Sequence, residues 1–196
     1  RNLLFFLEKF VPIGEDIFPG KSADPLRLEL ESGPLPIGTL ICYEDIFPDL
    51  ARSSVKAGAR VLFVVTNDAW YGEEGAAYQH AAHSVLRAVE TFRPVVRVGN
   101  GGWSGWIDEY GTIRQVLESA EGSVYFRGSE VVEVTYDPNT YRQLTFFVRY
   151  GNWFVWVCLA IVVCFIFLLR KDMIHVSEDD EWEKVGKMKI KVPTNP

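Results

Sequence analysis

Three cysteines are all that this sequence contains, and two of them, Cys158 and Cys164, share one apolar run. That leaves no pairing for a disulfide ladder and no ligand spacing for a zinc site, so Cys42 stands alone in the polar part of the chain. Basic clusters are missing as well. Lys and Arg number 20 against 26 Asp and Glu, a formal net charge of −6, and they are scattered. Without a basic stripe to neutralise phosphates, the composition speaks against a nucleic-acid partner. Position 1 is Arg rather than Met, and no leader with charged, apolar and small-residue regions follows it. The opening residues therefore read as the continuation of a longer chain.

What is abundant is apolar material. A composition of 48% hydrophobic and 14% aromatic residues excludes a disordered chain, and 196 residues suffice for one domain with a core plus one appended element. A mean hydropathy of +0.04 is high for a wholly water-exposed protein. The excess is concentrated between Tyr150 and Leu169, a stretch without a charge (YGNWFVWVCLAIVVCFIFLL). At about 1.5 Å per residue it is long enough to cross a bilayer core of roughly 30 Å, a buried soluble helix being the bland alternative. Trp153 and Trp156 lie near one end as interfacial aromatics do, and Arg170 and Lys171 close the other. Lysines 184, 187, 189 and 191 outnumber the nearby basic residues before the span, Arg142 and Arg149, which favours a cytoplasmic C-terminus and an outward-facing domain over 1–149. Residues 170–196, acidic and then basic, read as a flexible tail.

Ahead of the span, strand and helix patterns alternate. Ile37–Ile41 is a short apolar strand ending at Cys42, Leu50–Ala57 is helical up to Gly58, and Arg60–Thr66 is a buried β-branched run. Ala76–Phe92 reads as a second helix with Ala81, Val85, Ala88 and Val89 near one face, and Pro94–Val98 as the next strand. Trp103–Ile107 and Thr112–Leu117 flank a turn at Asp108–Gly111, and Val131–Tyr136 has strand character. Residues 11–36, punctuated by Pro and Gly, read as loop. The expected class is α/β with some antiparallel pairing.

Cys42 follows a buried strand, so its thiol would emerge at the C-terminal edge of a sheet, where α/β proteins bind ligands. A lone cysteine is by default an inert small hydrophobe. Against that, an unpaired thiol in a segment expected outside the cytoplasm is unusual. A thiol reacts as its thiolate and needs a base or cation nearby, and Glu44 would not reach back along an extended chain. The base has to come from elsewhere.

Leu40-Ile41-Cys42-Tyr43-Glu44, followed a helix and a strand later by Thr66-Asn67-Asp68-Ala69-Trp70-Tyr71-Gly72, resembles the paired motifs of the apolipoprotein N-acyltransferases in the nitrilase superfamily. Gln79-His80, Arg87, Glu90, Arg93-Pro94, Arg97 and Asn100-Gly101 continue the pattern in order, and a single apolar helix completes it. The resemblance covers about residues 1–170. It implies the C-terminal half of a nitrilase-like α-β-β-α sandwich over 1–149, then one transmembrane helix over 150–169.

The superfamily's Glu-Lys-Cys triad uses glutamate as general base, lysine to stabilise the oxyanion, and cysteine to form a thioester. The resemblance makes Cys42 the nucleophile and places the glutamate and lysine before Arg1, so that this chain alone would be inactive. A second family glutamate matches Glu8, in Phe6-Leu7-Glu8 with Val11-Pro12, with Ile13-Gly14-Glu15 as a rival match. Lys9 stands at the wrong place for the lysine. The Tyr43 amide matches an oxyanion-hole donor and Glu44 a supporting residue, against a plain strand-edge pair. Asn67 is a substrate-side residue by the match, and both Asn67 and Asp68 suit loop shaping. Trp70 is either a core aromatic or lies by the acyl-chain entrance. His80 and His83, three apart on one helix, suggest a metal only weakly without a third ligand. Arg87, Glu90, Arg93 and Arg97 suit structural ion pairs. Gly101-Gly102-Trp103 departs from the family's Asn-Thr-Gly or Asn-Asn-Gly, which leaves acyl-donor contacts there open.

The activity implied is transfer of a fatty acyl group from a phospholipid, through a Cys42 thioester, to the N-terminal amine of a diacylglyceryl-cysteine lipoprotein. It calls for no metal or organic cofactor. The setting implied is the bacterial inner membrane, with the catalytic domain on the periplasmic face and a monomeric enzyme. The rivals are a membrane-anchored amidase or nitrilase and a catalytically dead nitrilase-fold binding module.

Overall fold

The computed structural model describes residues 20, 22–31, 33–73, 75–135, 137 and 143–178, with side chains as far as Arg170. Glu8 and Lys9, the rival Glu15 and residues 179–196 lie outside the described residues. The chain divides into two units, Arg1–Gly151 and Asn152–Pro196.

In the first unit, six strands form one mixed sheet in chain order. They are β1 (Leu26–Leu30), β2 (Gly33–Ile41), β3 (Val61–Asn67), β4 (Val95–Asn100), β5 (Gly105–Ile107) and β6 (Ile113–Val116). β2, β3 and β4 run parallel, and β1, β5 and β6 add antiparallel pairings at the flanks. Parallel neighbours require crossovers. These are α1 (Pro48–Lys56), with Pro48 in its first turn, and α2 (Ala76–Thr91). Gly58, at φ 106, ends the first crossover as the sequence suggests. A short helix, α3 (Phe146–Tyr150), closes the unit, and the Arg52 guanidinium on α1 donates to the carbonyls of Phe147, Val148 and Arg149 at its C-terminal end.

Register decides which residues form the core. Leu40, Val64 and Arg97 stand in one row across β2–β4 and are buried beneath the helices with Ala51, Val55, Ala81 and Ala88. The next row, Ile41, Val65 and Val98, faces the opposite side of the sheet and is exposed. The described residues thus supply one helix layer and one sheet.

Three expectations change. Within the stretch read as loop, β1 and the start of β2 form a hairpin. Pro34 and Pro36 are tolerated because the parallel ladder with β3 begins only at Ile37, and Pro36 contributes a carbonyl, which accepts from the Arg60 amide. Residues 131–135 form no strand. Val131 is almost fully exposed, and β propensity without a partner strand makes no ladder. On α2 the buried stripe is Ala77, His80, Ala81, Ser84, Arg87, Ala88 and Thr91, whereas Val89 is exposed. The helix buries polar groups because the site below supplies their partners.

The second unit is α4 (Trp153–Glu178). Its window Trp153–Arg170 has a mean hydropathy of 2.6 and is long and apolar enough to cross a membrane, about 27 Å at 1.5 Å per residue. The helix starts later than Tyr150 because Gly151, at φ 63, breaks the backbone after α3. It continues to Glu178, into residues read as a flexible tail, with Arg170 as its first charge.

Gly38 on β2 has no room for a side chain: a Cβ there would sit 2.5 Å from Ser54 Oγ and 2.9 Å from Leu62 Cδ2. Gly38→Ala should therefore destabilise the unit by about 1–3 kcal/mol through overpacking between sheet and α1. Thermal melting of the full-length protein in detergent checks this as a lowered Tm.

Candidate functional site

β2 ends at Ile41, and the chain turns at once into a 3₁₀ turn, Cys42–Ile46. Cys42 takes a left-handed backbone, φ 53, and its side chain is half-buried. A non-glycine residue there costs roughly 1–2 kcal/mol and persists only where its surroundings hold it. The restraints are visible. Glu44 folds back, contrary to the extended reading, and its carboxylate accepts from the Ile41 amide at 2.8 Å. The Phe47 amide closes the turn on the Glu44 carbonyl, and the Arg87 guanidinium donates to the carbonyls of Asp45 and Ile46. Arg87 is itself gripped by Glu90 through two hydrogen-bond-length contacts.

Beneath the turn lies a cluster of buried charge. Asp45, Asp68, Ser84 and Arg97 are fully buried, and His80 is nearly so. His80 bridges the carboxylates, with Nε2 3.0 Å from Asp45 Oδ1 and Nδ1 2.9 Å from Asp68 Oδ1. Each ring nitrogen is thus committed to a carboxylate oxygen. Arg97 reaches Asp45 at 2.6 Å and Asp68 at 3.3 Å, Ser84 donates to Asp45 at 2.8 Å, and Thr66 to Asp68 at 2.9 Å. The Arg97 guanidinium meets both carboxylates, the pairing that burial of charge demands.

Aromatic side chains cover the cluster. The Tyr43 ring stacks on His80, centroids 5.0 Å apart, and its hydroxyl meets that of Tyr71. Desolvation first, then the hydrogen bond to and charge of Tyr43 and the charges of Asp68 and Cys42, hold the Tyr71 phenol well above the usual tyrosine range. Tyr71 thus stays a neutral hydrogen-bonding group. Trp70 stacks on Tyr71 and is 70% exposed.

The remaining residues singled out from sequence fall around this centre. Asn67 accepts from the Asn100 side chain at 2.9 Å, joining the ends of β3 and β4. Asp68 is no mere loop-shaper, since its whole side chain is buried in the charge cluster. Both ring nitrogens of His80 are engaged by carboxylates, so the His80–His83 spacing does not act as a metal pair. Arg93 donates to the carbonyls of Ala59 and Phe92, within the frame rather than at the site. Gly101 and Gly102 let the loop after β4 lie against Asp68 and Ala69: a Cβ on Gly101 would sit 2.8 Å from the Ala69 Cβ, and one on Gly102 2.7 Å from the Asp68 Cβ. A crevice flanked by Gly72, Glu73, Asn100 and Arg127 opens at the C-terminal ends of β3 and β4, beside this loop.

A family model for carbon-nitrogen hydrolases matches residues 8–141. An apolipoprotein N-acyltransferase of Geobacter metallireducens is 37% identical over 176 residues, covering 89% of this chain and 31% of that protein. One of Thermotoga maritima is 36% identical over 135 residues, covering 69% of this chain and 25% of that protein. The chain thus spans less than a third of the length of these relatives. A solved member of the nitrilase superfamily from Saccharomyces cerevisiae is 22% identical, with a TM-score of 0.44 over 64% of this chain and 45% of that one.

The left-handed turn at position 42 can be measured apart from the thiol. Cys42→Gly and Cys42→Ala both lack the sulfur, and only glycine tolerates φ 53 without strain. The glycine variant should be the more stable by about 1 kcal/mol. Paired thermal melts check this, with equal stability as the contrary result.

Proposed function

The chain belongs to the carbon-nitrogen hydrolase family, and on that premise we propose that it is part of an N-acyltransferase that completes lipoprotein acylation at a membrane. The identity of 37% over 176 residues to an apolipoprotein N-acyltransferase carries this reading. The position of Cys42, on a left-handed turn at the C-terminal end of β2, supports its role as nucleophile.

In the proposed reaction the Cys42 thiolate attacks an ester carbonyl of a phospholipid. The oxyanion that forms is held by the Tyr43 amide and by a lysine read as upstream, and collapse expels the lysophospholipid alkoxide, which takes up the proton that an upstream glutamate removed from the thiol. The thioester left on Cys42 is then attacked by the free α-amine of a diacylglyceryl-cysteine protein. An amide forms, the amine's proton passes to that glutamate base, also read as upstream, and the Cys42 thiolate is released. Splitting the transfer through a thioester replaces one hard step by two easier ones. Glu44 keeps the turn in shape rather than taking the thiol proton, since its carboxylate is already engaged by the Ile41 amide. Glu8 is assigned a supporting role. Trp70, exposed beside the nucleophile turn, and Asn67 are assigned to the substrate side. α4 anchors the enzyme where both substrates reside, which turns a search through water into a preoriented encounter. The domain 1–149 then works at the outer face of the inner membrane, as a monomer, with the tail 170–196 on the cytoplasmic side.

Peptide mass spectrometry of the full-length protein in phospholipid, without reducing nucleophiles, tests the reading. The expected result is a thioester-linked fatty acid on Cys42 that disappears when a diacylated lipopeptide is added, with N-acylated lipopeptide appearing. Loss of the adduct to water alone marks a hydrolase. An unmodified thiol in folded, inserted protein marks a binding module, and either result overturns the proposal.

A further inference from the structure

The reaction just proposed gives no role to His80, yet His80, like Arg97, touches both loops at the site. It holds Asp45, in the turn carrying Cys42, through Nε2, and Asp68, which leads into the turn carrying Trp70 and Tyr71 (Ala69–Tyr71), through Nδ1. Its ring face supports Tyr43. A circuit closes: Tyr43 on His80, His80 on Asp68, Asp68 leading to Tyr71, and the Tyr71 hydroxyl on that of Tyr43.

Stability alone is a poor reason for such a centre. Replacing buried ions by apolar groups of similar volume is commonly neutral or stabilising, and α2 already buries Ala77, Ala81 and Ala88 on the same stripe. The placement matters as well. Asp45 is the only buried residue of the nucleophile turn, and its side chain is tied to the protein interior by His80, Ser84 and Arg97, beside Arg87 on the turn's carbonyls.

We propose that His80 is a positioning residue for acyl transfer: by fixing Asp45, Asp68 and the ring of Tyr43 together, it holds the Tyr43 amide aimed at the oxyanion and keeps the Trp70 loop in register with it. The inference rests on the acyltransferase reading above. A donor aimed at developing charge acts in the transition state, so its misplacement lowers kcat and leaves substrate binding alone.

His80→Gln by itself leaves a buried carboxylate short of a hydrogen-bond partner and risks the fold. The decisive variant is therefore His80→Gln with Asp68→Asn, which puts an amide pair in place of the ring-to-carboxylate contact and leaves Asp45 on Arg97 and Ser84. Full-length protein in phospholipid vesicles is assayed for transfer to a diacylated lipopeptide. The expected result is a near-native Tm, a kcat reduced about 10²-fold and an unchanged KM for phospholipid. A wild-type kcat in this variant overturns the proposal, since His80 would then only satisfy the buried carboxylates. Should the double variant fail to fold, Tyr43→Leu removes the stacked ring at a side chain that is 42% exposed and leaves the cluster intact. The same split of kcat from KM is expected there, and a wild-type kcat overturns the proposal equally. If the unmodified protein neither acylates Cys42 nor transfers the chain, the acyltransferase reading itself fails. If it does both while the variants match it, only the role of His80 fails.

Discussion

The buried contact of Asp45 with His80 and Arg97 is what the geometry of the site depends on. Everything else near Cys42 is short, exposed or strained: a 3₁₀ turn with one buried residue, a cysteine at φ 53, and aromatic side chains open to solvent. Such a turn has many conformations of similar energy unless something anchors it. Asp45 provides the anchor because its carboxylate meets His80, Ser84 and Arg97 within 3.0 Å. Arg97 and His80 both go on to Asp68, so the turn after β2 and the loop after β3 share one electrostatic centre. Neither loop can shift without breaking contacts to the other.

This explains why polar residues occupy places that packing alone would give to apolar ones. Arg97 stands in the buried row of the sheet, beside Val64 and Leu40, and His80, Ser84 and Arg87 lie on the buried stripe of α2. Each of them would be costly to bury singly, and together they supply most of one another's partners. The strain at Cys42 is offset in the same place, by the Glu44 carboxylate on the Ile41 amide and the Arg87 guanidinium on the turn's carbonyls. The glycines after β4 complete the arrangement by letting that loop lie against Asp68 and Ala69.

The parallel core was legible because its strands are continuous apolar runs, and the runs ending at Ile41 and Thr66 could hardly be anything else. The hairpin around Asp108 was legible from its turn chemistry: the Asp108 carboxylate accepts from the amides of Tyr110 and Thr112. The β1–β2 hairpin was not, since prolines 34 and 36 look like loop until the register shows them lying before the parallel ladder. The run read as Val131–Tyr136 failed in the other direction, since its described residues 131–135 pair with no strand among the described residues. At the site, the motif pointed to Cys42, Tyr43, Glu44, Asn67 and Trp70. The backward fold of Glu44 and the Asp45–His80–Asp68–Arg97 centre remained hidden. A signal existed: Arg97 alternates with Val95 on the buried face of a strand and demands a buried anion. Which anion depends on contacts 52 and 29 residues apart in sequence, and only tertiary structure reveals those.

Native-state hydrogen exchange on the full-length protein tests the shared centre most directly, by comparing amide protection in residues 42–47 and 68–72 between the wild type and Asp45→Asn. Because the loops are tied through His80 and Arg97, the account predicts that both segments lose protection together while α1 and β3 keep theirs. Loosening of the Cys42 turn alone, with the Trp70 loop unchanged, would show that the two loops are held independently and would contradict it.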